Sequence, residues 1–223
     1  MRKWIAENRG FLFFLLIVLV LRSAIADWYG VPTSSMYPTV IIGDRILSNR
    51  LAYDIKLPFS NVILKRLNDP QRGDIVTFIS PEDGVRLVKR VIAVPGDLVE
   101  MRDNHLIING IDATYSGATG DVIENVPPDN DGDQVVLNEE LFEQKHTIII
   151  TPEVSAVHNF DPITVPEEHY FVLGDNRDNS KDSRYIGCIG RESLTGQVRR
   201  IIFSLDPEKF YLPRISRLAR ALH

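Results

Sequence analysis

The sequence predicts a mainly β protein: an antiparallel β-sheet core with an inserted, β-rich acidic subdomain, preceded by one N-terminal transmembrane helix. Three observations carry this. Between Thr39 and Ser204, short runs rich in Val, Ile, Phe and Tyr recur between Gly, Pro and Asp, the pattern of strands and turns. From Asp103 to His169 there are 14 Asp or Glu against one Lys, which marks a distinct acidic module. Phe11 to Leu21 is an unbroken run of 11 apolar residues with arginines on both sides.

That N-terminal run admits two readings. Arg2, Lys3 and Arg9 precede it, and Arg22 and Ala24-Ile25-Ala26 follow, an arrangement that also describes a cleavable signal peptide. The placement of the chain's two tryptophans favours an uncleaved anchor. Trp4 and Trp28 lie about 36 Å apart along a helix rising 1.5 Å per residue, which suits anchors at either interface of a hydrocarbon core of roughly 30 Å. The expected anchor is 10–28. Basic residues before it place 1–9 in the cytoplasm and everything later outside.

The expected strands are "RGDIVTFIS" (72–80), "VRLVKRVIAV" (85–94), "DLVEM" (97–101), "HLIING" (105–110), "HTIIIT" (146–151), "HYFVLGD" (169–175) and "GQVRRIIFSL" (196–205). The core then comprises 29–102 and 169–223, interrupted by the acidic module 103–168. "NEELFEQ", near 138–144, is the best helix candidate outside the anchor. The Gly-, Pro- and acid-rich stretch 116–134 reads as a surface loop. "PRISRLARALH" would set Arg214, Arg217 and Arg220 on one helical stripe and Ile215, Leu218 and Leu222 on its neighbour, a tail suited to water or to anionic lipid.

Composition narrows the function. Hydrophobic content of 44% and charged content of 25% are globular values, and a net charge of −5 argues against nucleic acid as a partner. With Cys188 alone there is no intramolecular disulfide and no Cys-based zinc site. His105, His146, His158, His169 and His223 show no ligand spacing, so neither metal nor cofactor is expected.

Chemistry is suggested first by "VPTSSMYPTV", 31–40, where Thr33, Ser34 and Ser35 stand between two prolines that stiffen the chain. An ordinary Ser/Thr-rich turn would account for those ten residues alone. A serine nucleophile needs a base, either His with Asp or, in a smaller class, a lysine. No histidine lies in a polar cluster with an evident acidic orienter. Lys89, in "VRLVKRVIAVPGD", has almost only apolar neighbours; by alternation it shares a face with Leu87, Val91 and Ala93, while Arg90 shares the other with Val88 and Ile92. Burial would bring such a lysine from about 10.4 towards the 7 to 8 of a general base. A strand lysine that snorkels to water is the plainer alternative. "LGDNRDNSKDSRYIG", 173–187, is a dense set of groups able to bond locally to backbone, and reads as a loop that builds a site.

In this order, behind an N-terminal anchor, "PTSSMYPT", "RGDIVTF", "VKRVIAVPGD" and "GDNRDNSKDSRYIG" resemble the four conserved boxes of bacterial type I signal peptidases, or leader peptidases, membrane serine proteases with a Ser/Lys dyad. "RISRLARALH" resembles the tail of that family. The resemblance implies that Ser35 is the nucleophile and Lys89 its general base. It further implies that Ser180 orients the lysine, that Asp182 and Arg184 form a buttressing ion pair, and that Gly174 and Asp175 shape the loop beneath. The oxyanion would lie between the Ser35 N–H and the Thr33 hydroxyl. Thr33 stands where many members have Ser, and Ser34, which has no implied role, where many have Gly. Tyr29, Val31, Ile46, Leu87 and Val88 match positions lining shallow pockets for small residues at −1 and −3.

The implied protein is a monomeric membrane endopeptidase that removes signal peptides from exported preproteins after Ala-X-Ala sites. It would sit on the outer face of the bacterial cytoplasmic membrane, with lipid as its other partner and no cofactor. Related eukaryotic enzymes have His where Lys89 stands, so the lysine points to a bacterial member. Self-cleaving repressors share the dyad, but with a DNA-binding domain where this chain has an apolar run. A membrane-tethered binding module would have no use for Ser35 and Lys89 together.

Overall fold

The computed structural model describes residues 2–60, 62–119 and 133–222. An eight-stranded sheet runs in the order β1 (Ala26–Gly30), β2 (Asp44–Asn49), β16 (Leu194–Asp206), β5 (Ile75–Ile79), β6 (Arg86–Ala93), β14 (His169–Leu173) and β15 (Ile189–Gly190), with β17 (Leu212–Pro213) paired to the end of β16. β3 (Asp54–Lys56) and β4 (Ile63–Arg66) form a separate hairpin. A four-stranded sheet has the order β13 (Phe160–Thr164), β7 (Leu98–Arg102), β8 (His105–Ile108) and β9 (Ile111–Asp112); a three-stranded one has β10 (Thr114–Gly117), β11 (Val135–Leu141) and β12 (Gln144–Ile150). Neighbouring strands in all of these sheets are antiparallel.

The seven apolar runs expected as strands are β5, β6, β7, β8, β12, β14 and β16. β5 is buried at four of its five positions and β6 from Lys89 onward, because apolar clusters cover both faces. Val88 packs with Val31, Met36, Val40 and Ile46, whereas Leu87 belongs with Phe78, Val91, Val172 and Leu194. A third cluster joins Phe171 and Leu173 of β14 to Val99, Met101, Leu106 and Ile108 of the four-stranded sheet. The stretch 103–168 supplies β8 to β13, and β7, which precedes it, lies inside the same four-stranded sheet.

Three expectations change. Residues 138–144 are not a helix but the hairpin from β11 into β12, which pairs Leu141 with Gln144 across Phe142 and Glu143 at φ 49° and 64°. Two left-handed residues make the tight turn that antiparallel strands favour, normally signalled by Asn-Gly or Asp-Gly; Phe-Glu hides it. The tail forms one 3-10 turn, Ile215–Arg217, and then extends, so the arginine stripe never assembles. Of the loop expected at 116–134, residues 120–132 lie outside the described ones, and 116–117 are the end of β10.

The N-terminus differs from the expected 10–28 span. Helix α1 covers Arg2–Glu7 and α2 covers Arg9–Ala24, 16 residues; no helix among the described residues is long and apolar enough to cross a membrane. From Ala26 the chain is committed to β1, so Trp28 stands opposite Leu47 on a strand rather than at the far end of a helix.

Arg217 is the clearest departure from a solvated tail. Only 1% exposed, it grips Asp44 through Nε and Nη2 (2.9 and 2.6 Å) and donates from Nη2 to the Thr39 carbonyl (3.0 Å). Arg217→Ala would strand a buried carboxylate, and we expect a loss of about 3–5 kcal/mol in denaturant unfolding. A loss well under 1 kcal/mol would show that the pair contributes little.

Candidate active site

The segment 31–40 is anchored by its apolar residues. Met36 (1%) and Val40 (0%) are buried, the Val40 amide donates to the Met36 carbonyl (2.9 Å), and Tyr37 N–H to the Ser34 carbonyl (2.9 Å). Val31 N–H bonds Asp44 O (3.0 Å) at the start of β2. With its apolar side chains turned inward, this turn holds Thr33, Ser34 and Ser35 at the rim.

Ser35 Oγ lies 2.7 Å from Lys89 Nζ. Lys89 comes from the middle of β6, is 2% exposed, and also donates to the Val88 carbonyl (3.0 Å). Burial brings its pKa down to about 8, against the opposing pull of Asp182 and Asp175 and with some help from Arg184. Thr33 Oγ1 is 3.5 Å from Ser35 Oγ.

The loop after β14 closes over this pair. Asn176 N–H donates to Ser35 O (3.2 Å), Asn176 Nδ2 to Ser34 O (3.3 Å), and Asn179 Nδ2 to Ser34 Oγ (3.0 Å). Gly174 makes this approach possible: a Cβ there would stand 2.4 Å from Ser35 O and 2.2 Å from Ser180 Oγ. Asp175, fully enclosed, takes both arms of Arg90 (2.9 and 2.8 Å) and the Thr39 hydroxyl. Burial works against that carboxylate, but Arg90, with His146 and the Thr39 hydroxyl, outweighs it and holds its pKa below the usual range. Asp182 is likewise gripped by Arg184 at 2.8 and 2.9 Å, with both side chains 0% exposed, and accepts the Gly174 amide (3.0 Å).

Most of the residues singled out by sequence therefore converge. The buried Ser180 hydroxyl has no hydrogen-bond partner among the described residues; the bonds of Lys89 go to Ser35 and Val88. The pocket set divides. Tyr29, Val31 and Val88 pack in one cluster, Tyr29 and Val88 only half-buried, while Ile46 is fully enclosed beneath them. Leu87, next to Val88 on a strand, points to the opposite face and joins another cluster. A cavity of about 580 Å³ between Asp69, Arg72, Phe142 and Arg191 contains none of these residues.

Several participants were missed. Thr39 is one more hydroxyl of the 31–40 turn, and strand alternation says of Arg90 only that it faces away from Lys89, yet both bind Asp175. Arg177 lay in the recognised loop, but its buried partner Glu139 (2.7 and 2.6 Å) is an acid among many in the insert, with no local signal. A His–Asp pair also exists, His158 Nε2 to Asp178 Oδ1 at 3.0 Å, but it has no bond to Ser35.

Residues 1–203 match the model of a family described as signal peptidase, peptidase S26. The chain is similar to signal peptidase I of Pseudomonas aeruginosa, at 34% identity over 227 residues, covering 95% of this chain and 77% of that one. It is 35% identical to signal peptidase I of Pseudomonas fluorescens, with the same coverage. Signal peptidase I of Aquifex aeolicus is 33% identical, covering 94% of this chain and 89% of its own.

The environment of Lys89 sets a stability signature. Its pKa is about 8 folded against 10.5 for an unburied lysine, so between those values the unfolded chain holds a proton that the folded one lacks. Stability must therefore rise with pH across that window. Relative to Lys89→Met, the unaltered protein should gain about 3 kcal/mol in unfolding free energy from pH 8 to 10.5. A pH-independent difference would mean that Lys89 titrates normally.

Proposed function

Because the chain belongs to the signal peptidase family, peptidase S26, and is thus a serine protease acting on exported preproteins, we propose that it cleaves them after small-x-small sites with Ser35 as nucleophile and Lys89 as general base. The observation that carries this reading is the 2.7 Å contact between the Ser35 hydroxyl and an amine kept from water. Neutral Lys89 takes the Ser35 proton as Oγ attacks the scissile carbonyl. The resulting oxyanion is held by the Ser35 N–H and the Thr33 hydroxyl. When the C–N bond breaks, the Lys89 ammonium returns the proton to the departing amine. An acyl ester remains on Ser35, and a water deprotonated by Lys89 releases the signal peptide as a carboxylate.

The sheet offers a place for an extended substrate. β14 meets β6 only from Arg90 to Ala93, so among the described residues Arg86–Lys89 have an open edge, and β1 is the outermost strand of its sheet. The two edges approach each other, with the Arg86 guanidinium 4.2 Å over the Tyr29 ring. A peptide pairing with them by strand addition would present its carbonyl to Ser35 and alternate side chains to Tyr29, Val31 and Val88. Shallow apolar contacts of that kind favour Ala-sized side chains.

Membrane attachment through the N-terminus belongs to the same proposal. α2 buries none of its residues, and Phe11, Phe13, Phe14 and Leu16 are all more than half exposed. The ladder runs on across Asn8, whose N–H donates to Trp4 O and whose carbonyl accepts from Leu12, so α1 and α2 together reach a bilayer-scale length. Beside them the β3–β4 hairpin exposes Leu57, Phe59, Val62 and Leu64 and meets α2 at Phe59 N–H to Ser23 Oγ (2.6 Å). Such a surface suits lipid, with the basic N-terminus on the cytoplasmic side.

The test is cleavage of a preprotein with an Ala-X-Ala site by the detergent-solubilised chain. Ser35→Ala, Lys89→Ala and the double variant should lose similar activity, because residues acting as a unit are not additive. The rate should rise along an alkaline-going limb centred at about 8, where Lys89 loses its proton. Near-normal rates in Lys89→Ala, or a rate maximum near pH 6, would rule the amine out as base.

Thr33→Val keeps the shape and deletes the hydroxyl. It should cost about 10² to 10³ in kcat with little change in KM, the loss typical of a single oxyanion donor, while Thr33→Ser stays active. A near-normal kcat in folded Thr33→Val would place the donor elsewhere.

A further inference from the structure

The loop Gly174–Arg184 reads GDNRDNSKDSR and contains no apolar side chain. Hydrophobic burial cannot position it, so its place against Ser35 and Lys89 is set by polar bonds. Many of those bonds come from the acidic insert. β12 runs alongside: Ile149 N–H donates to Asp175 O (2.8 Å), Ile149 and Asn176 form a parallel bridge, and Thr151 N–H donates to Asp178 Oδ2 (2.7 Å).

The firmest tie comes from β11. Glu139 takes both arms of Arg177 at 2.7 and 2.6 Å, each side chain 1% exposed, and accepts the Tyr115 hydroxyl of β10 (2.8 Å). Arg177 in turn donates from Nε to Gly174 O (3.3 Å), and its own carbonyl receives the Arg184 guanidinium. One fork therefore fixes both the glycine that touches Ser35 and the arginine that neutralises Asp182.

We propose that Glu139 is a positioning residue for catalysis: through Arg177 it holds the Gly174–Arg184 loop closed over Lys89, which makes the acidic insert part of the active site's framework. This rests on the Ser35–Lys89 reading above. The charged groups acting on Lys89 are Asp175, Asp182 and Arg184; those around Glu139 are Arg177, His146 and Tyr115. If the loop lifts, water reaches Lys89, its burial weakens and its pKa returns upward. Misplacement therefore appears in the pH profile as well as in the rate.

The test uses the full chain on a preprotein substrate. Glu139→Gln keeps the shape and removes the charge. It should lower kcat by about 10²-fold, the scale of a 1 Å misplacement, leave KM unchanged and move the alkaline-going limb to higher pH. Glu139→Asp retains the charge on a shorter arm and should fall between, which keeps the test available if the Gln variant does not fold. Leu141→Ala weakens the packing of the same strand and should lower thermal stability while keeping kcat and the limb. Unaltered kcat and limb in folded Glu139→Gln would overturn this inference alone, as would a limb shift of equal size in Leu141→Ala. Failure of the unaltered chain to cleave any preprotein would overturn the proposed function, and this inference with it.

Discussion

A lysine amine stays neutral near neutral pH only where water is kept from it, and Lys89, at 2% exposure, is placed accordingly. Two carboxylates nearby, Asp175 and Asp182, work against that neutrality. Each is already engaged by a guanidinium, Arg90 for the first and Arg184 for the second. The rest of the structure follows from keeping these four charges matched and enclosed around one amine. A buried carboxylate without its arginine would be costly in itself and would also favour the charged form of Lys89.

The two halves of the site are held by different forces. The turn bearing Ser35 is fastened by apolar burial of Met36 and Val40 in the cluster beneath β2 and β16. The loop facing it is fastened by hydrogen bonds and ion pairs alone. Thr39 joins the two systems: its hydroxyl donates to Asp175, and its carbonyl accepts from Arg217 at the far end of the chain. Residues remote in sequence thus meet on a single threonine, and Arg217 of the C-terminal segment braces the nucleophile turn.

Much of this was legible from local pattern. Runs of Val, Ile and Phe became strands because their faces are covered by apolar clusters on both sides, and burial along β6 is what the spacing around Lys89 implied. The Phe142–Glu143 turn was not legible, since its left-handed backbone is imposed by strand pairing rather than by a residue that prefers it. The N-terminal helix was legible as apolar and basic-flanked, but its end was not. Pairing of Ala26–Gly30 with β2 takes residues that an isolated helix would have kept.

Which side chains could do chemistry is a matter of local pattern, because a hydroxyl between prolines, a lysine among apolar residues and a dense polar loop are facts of the chain alone. Tertiary structure decided what surrounds them. Glu139 stands 38 residues before Arg177 and Arg217 stands 173 after Asp44, and nothing local distinguishes either from other charged residues. A buried ion pair is a property of two positions and of the water excluded between them. Only the folded sheets bring those positions together and remove that water.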